Sequence, residues 1–304
     1  MNIDICETLS FQNLYIYSVE TKYKLMKLIS DSGSTKTVWR LLSDNGTSKE
    51  IKTSGINPFF RTEEDIFQEL AVSLLPETGK DVQKIYFYGA GIINAEKGEI
   101  IRKALLRIYP EAEIETFSDM LGAARSLFGK TAGIACILGT GSNTSLYDGE
   151  KNIAGISPLG FILGDEGSGA VMGRKLLGDY FKEVMPPYLR SAFTEQFKLT
   201  RDEALNRVYR QERPNQFLAR FTQFLSDHSH SAYCQEFVQQ NFMEFFERNV
   251  IKLSDFRKYP IGFVGSVAWF FSQILINTAG YYGFEHPVIV KDPIDGLVKF
   301  HLKY

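Results

Sequence analysis

Cysteine is scarce in this 304-residue chain: Cys6, Cys136 and Cys234 are odd in number and far apart. They offer neither a disulfide framework nor the paired spacing of a metal site, and a reducing compartment suits them. A surplus of one charge is missing too. Lysine and arginine total 34 against 36 aspartates and glutamates, a formal net charge of −2. No nucleic acid and no membrane is expected as a partner through bulk electrostatics. Long apolar runs are also absent. The nearest, residues 262–282, is broken by Gln273 and Asn277, so no transmembrane helix is predicted. Residues 1–25 carry Asp4 and Glu7 early and lack an apolar core, so they do not read as a secretory signal. They read as an N-terminal extension ahead of the first strand, and the cytoplasm is the expected location.

What the chain has is size and alternation. Its length suggests two domains of roughly 150 residues each, and 44% hydrophobic residues suffice to fill their cores. Strands are predicted at 25–30, 38–42, 84–88, 112–117, 132–138, 144–147 and 261–264. Helices are predicted at 63–75, 96–108, 166–181, from a Ser118 cap through Phe128, and over most of 189–253. Strands alternating with helices indicate an α/β fold. Phe237, Phe242, Phe245 and Phe246 lie at helical spacing and read as core. Asp227, His228, His230 and Cys234 lack a second ligand pair, so no metal is expected there.

One pattern occurs twice. An apolar strand runs into Ser32-Gly33-Ser34, then a returning strand and the Asp44-Asn45-Gly46 turn. A second apolar strand runs into Thr140-Gly141-Ser142, then a returning strand and Asp148-Gly149. Gly33 and Gly141 are 108 positions apart. Glycine lets backbone approach a ligand closely, and successive N–H groups with hydroxyls make an anion site. Two such turns suit the β- and γ-phosphates of a nucleotide, although each alone also reads as an ordinary hairpin. Neither is a P-loop: GSTKT lacks the first glycine and the Gly-Lys-Ser/Thr order, and no G-x-G-x-x-G dinucleotide fingerprint is present.

Taken together, LISDSGSTKT, CILGTGSNTSLYDG, GDEGSGAVMGRKLL and FVGSVA resemble the actin-like ATPase superfamily that includes sugar kinases. More narrowly they resemble the N-acetylglucosamine kinase branch of the BadF/BadG/BcrA/BcrD ATPase family, over about residues 26–282. The resemblance implies two actin-like (ribonuclease H-like) domains with mixed sheets flanked by helices, 26–118 and 119–304, and a nucleotide cleft between them. It implies ATP and Mg²⁺ as cofactors and an amino sugar as substrate, N-acetylglucosamine giving its 6-phosphate first of all; a homodimer is left open. Asp31 would hold Mg²⁺ through water. Ser34, Thr35, Lys36 and Thr37 match the first phosphate loop, Gly139, Thr140, Gly141 and Ser142 the second, and Gly265, Ser266 and Trp269 the adenosine motif. Asp119 matches the catalytic base, and Asn57, Asp119 and Asp165 match sugar contacts.

Two positions depart from the pattern: Val38 stands where an acid often follows TKT, and Pro158 stands in a segment that tends to be glycine-rich. Two other functions compete. An ATPase coupled to a partner protein for electron transfer needs a thiolate-held cluster, for which these cysteines are poorly placed. A non-catalytic nucleotide-binding regulator of the repressor type needs an added DNA-binding module, for which 25 residues are too few.

Overall fold

Leu28 and Ile29 leave opposite faces of one strand, and both are fully buried. A strand buried on both faces needs a layer against each, and that requirement organises the molecule. The computed structural model describes residues 26–33, 35–43 and 48–304. The extension over 1–25, Ser34 and the Asp44-Asn45-Gly46 turn lie outside the described residues.

The first sheet contains β1 (Met26–Ser32), β2 (Lys36–Leu42), β3 (Ser48–Ser54), β4 (Val82–Gly89) and β5 (Glu113–Ser118), in the order β3-β2-β1-β4-β5. The first three pair antiparallel, and β4 and β5 join parallel to β1. The second contains β6 (Gly133–Leu138), β7 (Ser142–Tyr147), β8 (Asn152–Gly155), β9 (Ile261–Val264) and β10 (Val288–Val290), ordered β10-β9-β6-β7-β8 with the same directions. The second sheet thus repeats the first, strand for strand. Three strands were not expected from the sequence. In β3 only Ile51 and Thr53 turn inward among exposed polar neighbours, as befits an edge strand. β8 and β10 have four and three residues, too short for a periodic signal.

Helices α1 (Glu63–Ser73), α2 (Leu75–Thr78) and α3 (Ala95–Ile108) cover one face of the first sheet. Ile66, Leu70, Ile101 and Leu105 pack there against Leu28, Trp39, Ile85 and Phe87. The long excursion between β8 and β9 is helical, as its sequence suggested: α5 (Gly160–Leu163), α6 (Gly169–Phe181), α7 (Pro187–Phe197), α8 (Arg201–Tyr209), α9 (Pro214–Ala219), α10 (Thr222–Asp227) and α11 (Ala232–Phe245). It continues as a π turn over Phe246–Val250. Phe242, Phe245 and Phe246 join Ile134, Cys136, Leu138 and Phe263 in the largest core, completed by α12 (Ser266–Phe270) and α13 (Ser272–Tyr281).

The two remaining helices exchange sheets. α4 (Asp119–Phe128) follows the first sheet but buries Met120, Ala123 and Ala124 against Ala135, Tyr147 and Val264 of the second. α14 (Ile294–Lys303) follows the second sheet but buries Ile294 and Leu297 against Ile29, Val38 and Tyr88 of the first. Each leucine-sized side chain so buried contributes about 1.5–3 kcal/mol. The exchange joins the halves through packed side chains rather than through the chain alone. Among the described residues no helix is long and apolar enough to cross a membrane.

Candidate active site

The ends of β1 and β5 bring two carboxylates together. Asp31 sits on β1 in register with Val38 on one side and Tyr88 on the other. Burial pushes its carboxyl up to about 7, and the charges of Asp119 and Asp292 add to the shift while Lys36 opposes it. Asp119 opens α4 directly after Ser118, whose hydroxyl caps the helix by accepting from the Leu121 N–H. The Asp119 Oδ1 accepts from the Met120 N–H at 2.8 Å. Burial raises its pKa also. Asp292, just before α14, is the third member, and sequence reasoning missed it. Lys36 Nζ donates to its Oδ1 at 2.7 Å across 256 positions, a separation at which no sequence pattern operates.

The first loop is ordered from beneath. The Ser32 hydroxyl lies 2.7 Å from that of Thr37 and exchanges hydrogen bonds with the backbone of Ile56. Thr37 is fully buried, and its hydroxyl donates to the Ser54 carbonyl at 3.0 Å. Ser32 therefore stays in the strand, and glycine is not required there. Thr35 and Lys36 are exposed at the tip. Val38 packs on α14, so an acid at that position would meet Ile294 and Leu297.

The second loop is shorter: Leu138 pairs with Ser142, whereas Ser32 pairs with Thr37. Its carbonyls face the start of α6, where the N–H groups of Gly169 and Ala170 donate to Gly139 and Thr140. The helix expected at 166 begins at Gly169 because Asp165 and Gly167 turn with positive φ and the Ser168 hydroxyl caps Val171 N. That turn carries Asp165 to Gly141, where a Cβ would stand 3.0 Å from its Oδ2. Burial first, and Glu166 second, lift Asp165 to about 6. Gly265 closes the group. At φ 127° its missing Cβ would lie 2.2 Å from the Leu138 carbonyl, so only glycine lets α12 start there. Its N–H donates to the Val290 carbonyl, which ties the start of α12 to the strand leading to Asp292.

Two cavities flank these loops. One of about 190 Å³ lies between Ser266, Val267 and Phe270 of α12 and Arg220, Thr222 and Gln223 of the excursion. The other, about 240 Å³, lies between Ser142 and Asp165 on one side and Pro158, Leu159, Arg248 and Asn249 on others. Arg220, Gln223, Arg248 and Asn249 carry no local motif and were not legible in the sequence. Trp269 stands about half exposed on α12. Asn57 is buried, its Oδ1 accepting from the Phe59 N–H at 2.9 Å. The structure thus gathers Asp31, Lys36 and Asp119 in one group, and Gly139, Thr140, Gly141, Ser142, Asp165 and Gly265 in another.

A duplicated mixed sheet, with a hairpin loop at each first strand and crossed helices between the halves, defines an actin-like fold of the sugar-kinase superfamily. A candidate N-acetylglucosamine kinase from Porphyromonas gingivalis is 41% identical, with 91% of this chain and 99% of that chain covered and a TM-score of 0.87. The chain belongs to that protein's family, the N-acetylglucosamine kinase-like proteins of the actin-like superfamily. Two more distant structures share the fold. A candidate N-acetylglucosamine kinase from Chromobacterium violaceum is 17% identical, at a TM-score of 0.70 over 91% of this chain and 99% of that one. A ROK-family glucokinase from Streptomyces griseus, in complex with glucose and AMPPNP, is 13% identical, at a TM-score of 0.51 over 90% and 97%. No protein-family model matches the chain, and no curated protein matches it.

Proposed function

We propose that this chain transfers the γ-phosphoryl group of ATP to a hydroxyl of an amino sugar, N-acetylglucosamine giving its 6-phosphate, and that it stands in the BadF/BadG/BcrA/BcrD branch. The observation that carries this reading is the half-buried Asp119 beside Asp31 at the ends of β5 and β1. A carboxylate lifted above its ordinary range is a better proton acceptor, and it sits where a helix start fixes its direction. The sugar hydroxyl oxygen attacks the γ-phosphorus as the bond to the β-phosphate oxygen breaks, and Asp119 takes the hydroxyl proton. Such transfer depends on positioning and charge stabilisation more than on covalent chemistry.

The same residues fit a hydrated cation. Asp31 is a half-buried carboxylate that accepts no side-chain hydrogen bond from the described residues, while no three acidic, histidine or cysteine side chains among the described residues are grouped to cage an ion. Asp31 would hold Mg²⁺ through water, and the ion would supply charge neutralisation between the β- and γ-phosphates. Ser34, Thr35, Lys36 and the 139–142 loop would bind the phosphates, with Thr37 supporting the first loop from below. The 190 Å³ cavity beside Ser266 would take the base, with Gly265 and Trp269 at its edge. Asn57 and Asp165 would bind sugar hydroxyls, Asp165 from the wall of the 240 Å³ cavity. A site built to pair hydroxyls rejects analogues that leave its groups unpaired.

The test is ADP release across a panel of hexoses and hexosamines, with product mass and phosphorylation site determined. Turnover highest with N-acetylglucosamine supports the reading. ATP hydrolysis indifferent to every sugar would point to a partner-coupled ATPase, and absence of ATP binding to a regulator.

A further inference from the structure

The helical excursion widens to a π turn at Phe246–Val250, and that turn lines the proposed sugar cavity. α11 passes into the π turn over Phe246–Val250, and turns of that kind are rare and concentrate at functional sites. Within that turn the Asn249 side chain folds back on its own helix, donating from Nδ2 to Phe245 O at 3.2 Å. The same amide nitrogen reaches Glu166 Oε2 at 3.3 Å. Arg248, the preceding residue, reaches the other oxygen of Glu166 at 3.6 Å. Glu166 is thereby gripped at both carboxylate oxygens, its side chain only 14% exposed. Its backbone carbonyl accepts from the Ser142 hydroxyl at 2.8 Å, which adds a third attachment, to the second loop. Asp165, the adjacent residue, holds the left-handed conformation at φ 54°, a strained state that persists only where surroundings enforce it.

We infer that Glu166, clamped by Asn249 and Arg248 of the π turn, is a positioning residue that aims the Asp165 carboxylate at the substrate. The inference rests on the reading of Asp165 as a sugar contact and deepens it by naming what holds that contact in place. Glu166 also faces Asp165 as a like charge and helps keep it basic. The other charged groups on that cavity are Arg248 and Lys252; β7 and the 156–164 segment contribute none.

The test compares Glu166→Gln and Asn249→Leu with the unaltered protein, at saturating ATP and Mg²⁺, over pH 5 to 8. The KM for the sugar should rise about tenfold in both, the size of losing a hydrogen bond to a charged group, with the KM for ATP unchanged within about twofold. In Glu166→Gln the acidic limb of kcat/KM for the sugar should also move to lower pH, because removing the like charge lowers the Asp165 pKa. Loss of general packing would move neither the limb nor the ratio of the two KM values in this way. Unaltered sugar KM and an unmoved limb, in variants that still phosphorylate the sugar, would overturn the inference and leave the kinase reading intact. A crystal structure of Asn249→Leu supplies an arm that needs no turnover. The Asp165 carboxylate should leave its place against Gly141, and its staying there would overturn the inference even if no sugar proved to be a substrate.

Discussion

The two sheets share one strand order, yet the first places acids beside the ends of β1 and β5, and the second places glycines just after β6 and β9. At the register level Ser32 of β1 corresponds to Leu138 of β6, and Gly89, the last residue of β4, corresponds to Gly265 just after β9. On the first sheet this level leads to Asp31 and Asp119, whose burial lifts both carboxyls. On the second it leads to Gly139, to Gly141 against the Asp165 carboxylate, and to Gly265, where backbone meets the Leu138 carbonyl closely. A duplicated scaffold therefore supplies two kinds of strand end, which the proposed function would use differently: the first for a cation, a proton and phosphate, the second for phosphate and nucleoside. The large helical excursion belongs only to the second half, and it adds the walls of both cavities.

The sharpest way to break the comparison is Asp119→Asn. Sugar phosphorylation should fall by about 10²–10⁴, while ATP affinity measured by calorimetry stays near that of the unaltered protein. Full turnover would remove the acid–base role from the first half.

Asp31→Asn gives the next largest effect, on stability. A carboxylate lifted to about 7 from 3.8 takes up a proton in the folded state that the unfolded chain releases, so its ionised form destabilises the fold at high pH. The nucleotide-free variant should be more stable than the unaltered protein at pH 8, by at most about 4 kcal/mol. That gap should shrink as pH falls through 7 and nearly close at pH 4. Equal denaturation midpoints at pH 8 would show that the first half carries no charge strain.

Matched glycine substitutions sharpen the contrast between the halves. Gly265→Ala forces a Cβ to 2.2 Å from a backbone carbonyl at φ 127°, whereas for Gly89→Ala the nearest obstacle is a side chain, the Phe87 ring at 2.5 Å. We expect about 3 kcal/mol for the first and about 1 kcal/mol for the second, with ATP affinity lost only in the first. Equal costs in urea unfolding would deny the second sheet its special need for glycine.

Arg40→Ala should do least. Its guanidinium joins β2 to Asp295 of α14 at 2.9 Å, beside Glu50 at 2.8 Å, but Asp295 is largely exposed. A change below about 1 kcal/mol is expected; a larger one would make this ion pair, not the Ile294 and Leu297 contact, the tie between α14 and the first sheet.

Much of the scaffold was legible because its strands are apolar and end in turn residues. Buried runs such as Leu28-Ile29 and Ile134–Leu138 announce strands, and Ser118 announces the start of α4. β3 was not legible, since Glu50 and Lys52 face solvent and leave only two inward positions. β10 has too few residues to show a period, and α14 gave no sign that it would return to the first sheet.

The motifs around Gly33, Gly141, Asp165 and Gly265 were set by the sequence itself, because a turn that needs glycine, a hydroxyl or a cap needs it within a few residues. Only the tertiary structure decided that Asp292 would meet Lys36, that Asn249 and Arg248 would grip Glu166, and that α4 and α14 would trade sheets. The side-chain contacts among them span 82 to 256 positions and, like the helix exchange, depend on which faces the folded layers must cover, a property of the assembled cores that no local pattern encodes.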